Sequence, residues 1–281
     1  MNLLSQIKEI ITIAQKEDSS DLTSRLLFTN KDRVKASVVC KQNGVLCGID
    51  FAAITFRKYD PACRLKVHKE DGEPVKKGET VMEVEGRTAA ILSAERKAVN
   101  FIQHFSGVAT LTAQYVRAVK GTRTHIYDTR KTIPGIRLLQ KYAVRCGGGR
   151  NHRMNLKEMA MVKDNHIAAL GKRLSSVLTL KERLPAGTLL EIEAKTMREV
   201  RLALNAKADI IMLDNMPPAK LNAAVRWIRK STKAQIEVSG GVTLKDARRI
   251  ARLGVERISV GALTHSAQAM DFSLEAESFR D

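Results

Sequence analysis

Residues 128–167 read DTRKTIPGIRLLQKYAVRCGGGRNHRMNLKEMAMVKDNHI. Into this one stretch fall Arg130, Lys131, Arg137, Lys141, Arg145, Arg150, His152, Arg153 and Lys163, interrupted by Gly147, Gly148 and Gly149. Cations that dense, beside backbone without side chains, fit a pocket for a multiply charged anion. A solvated basic face is the plainer reading of a charge run, but such a face has no use for a triple glycine. Between residues 123 and 173, twelve Lys and Arg meet three acids (Asp128, Glu158, Asp164), so half of the net charge of +18 sits here. Nucleic acid is the other partner that such a charge invites. Aromatic residues make up only 4%, no nucleic-acid motif is present, and the charge is central rather than in a tail. A small anionic ligand is therefore favoured.

A chain of 281 residues with 44% hydrophobic content can bury a large core in one domain or two. No run of eighteen apolar residues exists, so no membrane span is expected. Lys8 and Glu9 break the apolar N-terminus, which does not read as a secretion signal. Cys40, Cys47, Cys63 and Cys146 lack metal-ligand spacing and read as reduced thiols of a cytoplasmic protein.

The pattern of elements changes near residue 120. Before it, short alternating segments at 34–40, 44–47, 64–67 and 80–84 read as strands, with Asp71-Gly72 and Lys77-Gly78 as turns. A helix is expected over 93–119, because Ala98, Ile102, Phe105, Val108 and Leu111 recur at helical spacing and Ser93 can cap it. After residue 120, apolar strands at 124–127, 160–162, 189–192, 210–213, 235–238 and 257–260 alternate with helices. Thr196-Met-Arg-Glu199 opens one helix as a capping box, and Thr243-Leu-Lys-Asp246 opens another in a similar way. Alternation of this kind implies a parallel sheet, and six or so units suggest a barrel.

Polar residues gather at one end of these strands. Asp128 and Arg130 follow the first, Lys163 and Asp164 the second, Glu193 the third, Asp214 the fourth, Ser239-Gly240-Gly241 the fifth and Gly261 the sixth. In barrels the loops at the C-terminal strand ends converge on one mouth, which carries the active site. Ser239-Gly240-Gly241, near the start of a helix, offers free N–H groups for a phosphate; a tight strand-to-helix turn is the alternative. Glu193 and Asp214 suit sugar hydroxyls or a hydrated Mg²⁺, or else compensate helix N-termini.

With these motifs in view, the sequence resembles the quinolinate phosphoribosyltransferase family. The resemblance rests on SAERKAVNFIQHFSGVAT (93–110), DTRKTIPGIR (128–137), KYAVRCGGGRNHR (141–153), KDNHI (163–167), EIE (191–193), LDN (213–215), EVSGGV (237–242) and VGALTHSA (260–267). They stand in the family's order from about residue 90 onward. The earlier part matches more loosely: EDSSDLTS (17–24) is a shortened form of a family segment, with Ser20 in place of a glycine. Ile133 stands for a common threonine and Glu158 for a common aspartate. None of these departures removes a charged catalytic position.

The resemblance implies an incomplete, TIM-like α/β barrel of six to seven parallel strands over 111–265. It also implies an N-terminal α+β open sandwich over 1–110, on which a C-terminal helix within 266–281 packs back. It implies transfer of phosphoribosyl from phosphoribosyl pyrophosphate to quinolinate with loss of CO₂, giving nicotinate mononucleotide and pyrophosphate for NAD biosynthesis. Arg130, His152, Arg153 and Lys163 would bind quinolinate, with Arg96 reaching in from the second subunit of a homodimer, or of a higher oligomer, with shared sites. Lys131 and Lys163 would stabilise the leaving pyrophosphate. Glu193 and Asp214 would contact the ribose, with Mg²⁺ held mainly through the pyrophosphate nearby. Ser239, Gly240, Gly241, Gly261 and His265 would hold the 5-phosphate. A paralogue associated with molybdate operons and a nucleic-acid-binding protein are the alternatives. The intact cationic set argues against the first, and neither nucleic acid nor membrane is expected as a partner.

Overall fold

The structure, a computed structural model, describes residues 2–18 and 20–277. The chain gathers into two compact units. The first comprises Met1–Ala113, Thr132–Gly148 and Ala262–Asp281; the second comprises Gln114–Lys131 and Gly149–Gly261. Membership therefore departs from the boundaries expected at 110 and 265, because the segment Thr132–Gly148 joins the first unit although its flanks belong to the second.

The first unit begins with helices α1 (Leu3–Glu17) and α2 (Leu22–Leu27). Strands β1 (Arg33–Cys40) and β2 (Gly44–Val45), helix α3 (Ile49–Tyr59), and strands β3 (Arg64–Val67), β4 (Pro74–Val75) and β5 (Thr80–Arg87) follow. The shortened 17–24 segment places Asp21 as the N-cap of α2, accepting from the Ser24 N–H at 3.0 Å; Ser19 lies outside the described residues. Helix α4 (Thr88–Ala118) starts five residues before the expected position, and Ser93 lies within it, donating to the Ala89 carbonyl at 2.7 Å, rather than capping it. Gly107 stands inside this helix for a packing reason. A Cβ there would lie 2.2 Å from the Gln268 carbonyl oxygen, so the returning chain passes against bare backbone. Helix α5 (Arg137–Cys146) completes the central insertion.

The second unit supplies β6 (His125–Tyr127), β7 (Met159–Val162), helix α6 (Asp164–Leu170) and β8 (Leu189–Ala194). Helix α7 (Met197–Asn205), β9 (Ile210–Asp214), α8 (Pro218–Ser231), β10 (Gln235–Ser239), α9 (Leu244–Ala251) and β11 (Arg257–Ser259) follow. The chain ends in the first unit with α10 (Ala262–His265) and β12 (Phe272–Ala276). That last element corrects the expected C-terminal helix. Phe272 to Ala276 pair antiparallel with β1, because the alternation of FSLEA puts Phe272 and Leu274 on the apolar face of the sheet.

The first unit's main sheet has the order β12-β1-β5-β3, and its core includes Val38, Phe56, Met82, Ile91, Ile102 and Phe272. In the second unit, six parallel strands run in the order β6-β11-β10-β9-β8-β7. The consecutive strands β6 and β7 occupy the two edges, which is the order of a barrel left open between its first two strands. Thr196 and Glu199 form the expected reciprocal cap of α7, and Thr243 accepts from the Asp246 N–H to cap α9. Among the described residues no helix is long and apolar enough to cross a membrane.

Candidate active site

Parallel register fixes which side chains share a face of the second unit's sheet. Glu193 lies opposite Met212, Met212 opposite Glu237, Asp214 opposite Ser239, and Glu237 opposite Arg257. Glu191 and Glu193, two residues apart on β8, therefore point the same way. Charged residues on one face of a sheet are costly unless each is paired.

The deeper layer is paired internally. Glu237, fully buried, accepts from Arg257 Nε at 2.5 Å and from the Ser259 hydroxyl. The Arg257 guanidinium stacks over the Tyr127 ring, 3.9 Å from its centroid. His152 Nε2 lies 3.1 Å from Glu191 Oε2 and 3.4 Å from Glu237 Oε1. Burial opposes charge on this imidazole, but the two carboxylates outweigh it and push His152 up to about 9. Burial and the neighbouring Glu237 push Glu191 up to about 6. His152 Nδ1 accepts from the Arg153 N–H at 2.8 Å, so the proton retained by the cluster lies on the Nε2 side, between ring and carboxylates.

Above this layer the loop after β6 is closed by its own returning chain. The buried Asp128 carboxylate accepts from the His152 N–H at 2.8 Å and from Asn151 Nδ2 at 2.6 Å. The Arg150 N–H donates to the Ile126 carbonyl at 2.8 Å. This zipping brings Arg153 near Arg130. Burial, followed by the positive charge of Arg130, lowers the Arg153 pKa. Arg153 is held by donation to the Met159 carbonyl at 2.8 Å, whereas the buried Arg130 Nε has no hydrogen-bond partner among the described residues. Two guanidiniums held together against their own repulsion make a receptor for a carboxylate or other planar anion.

The next strands contribute a second cluster. Lys163, the N-cap residue of α6, places Nζ 3.6 Å from Glu193 Oε2. Lys195 Nζ lies 2.6 Å from Asp164, 3.8 Å from Glu193 and 3.8 Å from Asp214. Burial, then repulsion from Asp214, raises Glu193 above the ordinary carboxylate range. Fixed carboxylates beside fixed ammonium groups suit a reaction that separates charge.

At the end of β10, Gly240 and Gly241 adopt φ of +87° and +58°, and a Cβ on Gly240 would meet Asn215 Cγ at 2.4 Å. Only glycine lets the chain turn here under the Asn215 side chain. Asn215, itself at φ +50°, donates its N–H to the Ser239 carbonyl at 3.1 Å and its Nδ2 to Asp214 at 2.9 Å. The turn leads directly into α9. Gly261 follows β11 and its Val260 neighbour, whose N–H donates to the Tyr127 carbonyl at 2.9 Å.

The second unit thus assembles Arg130, His152 and Arg153 in one cluster, and Lys163, Glu193 and Asp214 in another. Lys131 is exposed on the loop after β6, where its N–H donates to Thr129 Oγ1 at 3.0 Å. Arg96 and His265 belong to the first unit. The Arg96 side chain is 67% exposed, with Glu95 at 3.9 Å, and His265 Nδ1 lies 2.6 Å from Ser266 Oγ. Sequence reasoning missed Glu191, Glu237, Arg257, Lys195 and Asn215 as site members. The Glu-Ile-Glu alternation and the lone Glu237 inside an apolar strand were the available signals.

Comparison with known proteins supplies the class of this mouth. A family described as "Quinolinate phosphoribosyl transferase, C-terminal domain" matches residues 108–275, and its N-terminal counterpart matches residues 21–106. The chain is 41% identical over 276 residues to the probable nicotinate-nucleotide pyrophosphorylase [carboxylating] of Bacillus subtilis (strain 168), covering 96% of this chain and 93% of that one. It is 37% identical to the nicotinate-nucleotide pyrophosphorylase [carboxylating] of Mycobacterium leprae (strain TN), covering 91% and 90%. The crystal structure of nicotinate-nucleotide pyrophosphorylase from Ehrlichia chaffeensis superposes with a TM-score of 0.90 at 37% identity, covering 96% of this chain and 98% of that one. Both matched domains favour an enzyme over the nucleic-acid-binding alternative. A parallel barrel whose mouth pairs guanidiniums on one side and sets carboxylates beside lysines on the other, matched in both of its domains, belongs to the quinolinate phosphoribosyltransferase family.

Proposed function

We propose that this chain transfers the phosphoribosyl group of phosphoribosyl pyrophosphate to quinolinate and releases CO₂, forming nicotinate mononucleotide. The observation that carries the proposal is the like-charged Arg130–Arg153 pair, facing no acid that it hydrogen-bonds among the described residues, at the same strand ends as Glu193 and Asp214. A dicarboxylate supplies the missing anions. The pyridine nitrogen lone pair attacks C1 of the ribose as the C1–O bond to pyrophosphate breaks. Positive charge develops on the sugar, next to Glu193 and Asp214, and negative charge on the leaving group, next to Lys131 and Lys163. The quaternised ring then accepts the electron pair of the departing carboxylate, and a proton replaces CO₂.

Glu193 and Asp214 are hard oxygen donors whose charges oppose each other, an arrangement that fits a divalent cation. Mg²⁺ would be held mainly through the pyrophosphate, near these two residues, and would neutralise phosphate charge. The 5-phosphate suits the Ser239-Gly240-Gly241 turn and Gly261. Appearance of nicotinate mononucleotide from quinolinate, phosphoribosyl pyrophosphate and Mg²⁺ is the direct test; no product under conditions where a family member is active would overturn the reading.

Arg130→Ala and Arg153→Ala are each expected to raise the KM for quinolinate by about 10- to 100-fold, because a charged hydrogen bond contributes roughly 1.5–3 kcal/mol. The KM for phosphoribosyl pyrophosphate should change less. Equal losses for both substrates would place the pocket elsewhere.

We also propose a homodimer with shared sites, in the cytoplasm. The exposed Arg96, with no close acid but Glu95 among the described residues, supports sharing, and four free cysteines suit a reducing compartment. Mixing inactive Arg96→Ala with inactive Lys163→Ala is expected to restore part of the activity, since a heterodimer would hold one intact site. Subunit exchange without any recovery would refute sharing.

A further inference from the structure

Two cysteines that are 99 positions apart in sequence meet inside the first unit. Cys47 and Cys146 flank Asp71, and their sulfur atoms and a carboxylate oxygen of Asp71 all lie within 4.8 Å of one another. The backbone at each cysteine is fixed by the same helix. Cys47 N–H donates to Ser106 Oγ at 2.9 Å, and Ser106 Oγ donates back to the Cys47 carbonyl at 3.1 Å. Cys146 is followed by Gly147, where a Cβ would stand 2.3 Å from the Ala109 carbonyl oxygen and 2.6 Å from Thr112 Cβ. Ser106 and Ala109 are neighbours one turn apart on α4, so this helix sets the separation of the two thiols.

Asp71 adds a second brace. Its Oδ1 accepts from the Gly48 and Ile49 N–H groups at 2.8 and 2.9 Å, and its Oδ2 accepts from the Tyr142 hydroxyl at 2.9 Å. Tyr142 stands one turn before Cys146 on α5. Both carboxylate oxygens are thus committed to the protein, which disfavours the cluster as a metal site; a cation would have to displace Tyr142. What remains free to react is the dithiol.

We infer that Cys47 and Cys146 form an oxidisable pair, a modification site built from first-unit residues, which a hydroperoxide converts into an intramolecular disulfide. The two cysteines have unequal roles. Cys47 is fully buried, whereas Cys146 is half-buried and so the more accessible of the two sulfurs. The neighbouring Cys47 thiol, then Tyr142 and Arg145, lower the pKa of the Cys146 thiol against burial and Asp71, while burial raises that of Cys47. A peroxide must reach the sulfur it oxidises, and of the pair only Cys146 is accessible, so Cys146 reacts first, as its thiolate. Its sulfur attacks the peroxide, the O–O bond breaks, and hydroxide leaves with the thiol proton as water, giving a sulfenic acid. Cys47 sulfur then attacks Cys146 sulfur; the S–S bond forms, the S–O bond breaks, and hydroxide takes the Cys47 proton as a second water. Two thiols lose two electrons and one peroxide gains them.

The test treats the full chain with a small excess of hydrogen peroxide, then titrates thiols and maps peptides. The expected result is loss of two of the four thiols, a chain two hydrogens lighter, and one linked pair of peptides carrying Cys47 and Cys146, all reversed by dithiothreitol. The oxidised chain should also melt several degrees higher, because the link closes a long loop of the unfolded chain. In Cys47→Ser, oxidation should stop at Cys146 as a sulfenic acid that dimedone traps; in Cys146→Ser, Cys47 should stay reduced. The wild-type peptide map decides even if a variant fails to fold. A link to Cys40, Cys63 or another chain, an overoxidised Cys146 beside an unreacted Cys47, or a pair left wholly reduced would overturn the inference. So would equimolar Zn²⁺ binding that shields both thiols from titration, which would make the cluster a metal site.

Discussion

Glu193→Gln is expected to lower kcat by about 10²- to 10³-fold, with little change in the KM for quinolinate. Removing one fixed charge or donor aimed at a developing transition-state charge typically costs that much. Glutamine keeps the volume and an acceptor oxygen, so the loss isolates the negative charge. Glu193 is well placed for this role. It is mostly buried, at the end of β8, with Lys163 and Lys195 at 3.6 and 3.8 Å and Asp214 close enough to raise it. A buried charge of this kind is already desolvated before substrate arrives, and no water need reorganise as the sugar becomes cationic. The acid limb of the kcat profile should lie above the ordinary carboxylate range, because the proposed role needs Glu193 ionised. Asp214→Asn removes the repulsion and should move that limb to lower pH. Steady-state rates over pH for the wild type and both variants measure the two effects. If Glu193→Gln raised the KM for quinolinate at full kcat, the carboxylate would belong to ground-state binding instead.

Glu237→Ala is expected to be the most destabilising single change in the barrel interior, at about 3–5 kcal/mol, because it leaves buried positive charge without its partner. Arg257 and His152 would then face Glu191 alone. Urea unfolding of the wild type and variant measures the loss; a change below about 1 kcal/mol would show that water or rearrangement compensates. The pH dependence gives an independent check. His152 is raised in the folded chain to about 9 from an ordinary 6.5. Its contribution is therefore fully present below about pH 6.5 and is lost as the pH rises through about 9. Glu191, raised to about 6 from 4.5, acts with the same sign at lower pH: stability falls as the pH rises through about 6. Glu237→Gln keeps the shape but removes one of the two carboxylates that hold the His152 proton. Its stability should consequently vary less between pH 7 and 9 than that of the wild type.

The sequence was most legible where local pattern and chemistry coincide. Apolar runs of strand length ended in charged or glycine residues at six places, and each of those ends lies at a strand terminus of the parallel sheet. Thr196 and Thr243 announced their helices because an N-cap bond is made within three residues. The family motifs around Arg130, His152, Lys163, Glu193 and Asp214 marked the mouth. Legibility failed where the deciding partner is distant in sequence. The C-terminal residues carry strand alternation but gave no sign of β1, and the start of α4 is set by β5 ending at Arg87 rather than by a capping serine.

What the sequence determined by itself was therefore a small anionic ligand, the alternating α/β architecture and the cationic side of the mouth. These follow from residue type, periodicity and spacing, which are properties of short windows. Tertiary structure alone decided three other matters. It placed Glu191, Glu237 and Arg257 under the mouth as a neutralising layer, because parallel register, not sequence distance, selects which charges face one another. It folded Thr132–Gly148 into the first unit while returning Arg150–Arg153 to β6, through the buried Asp128. And it brought Cys47 to Cys146, since both chain segments are pinned to one turn of α4. Charge pairing and close backbone approach are long-range constraints, and they exist only once the chain has closed on itself.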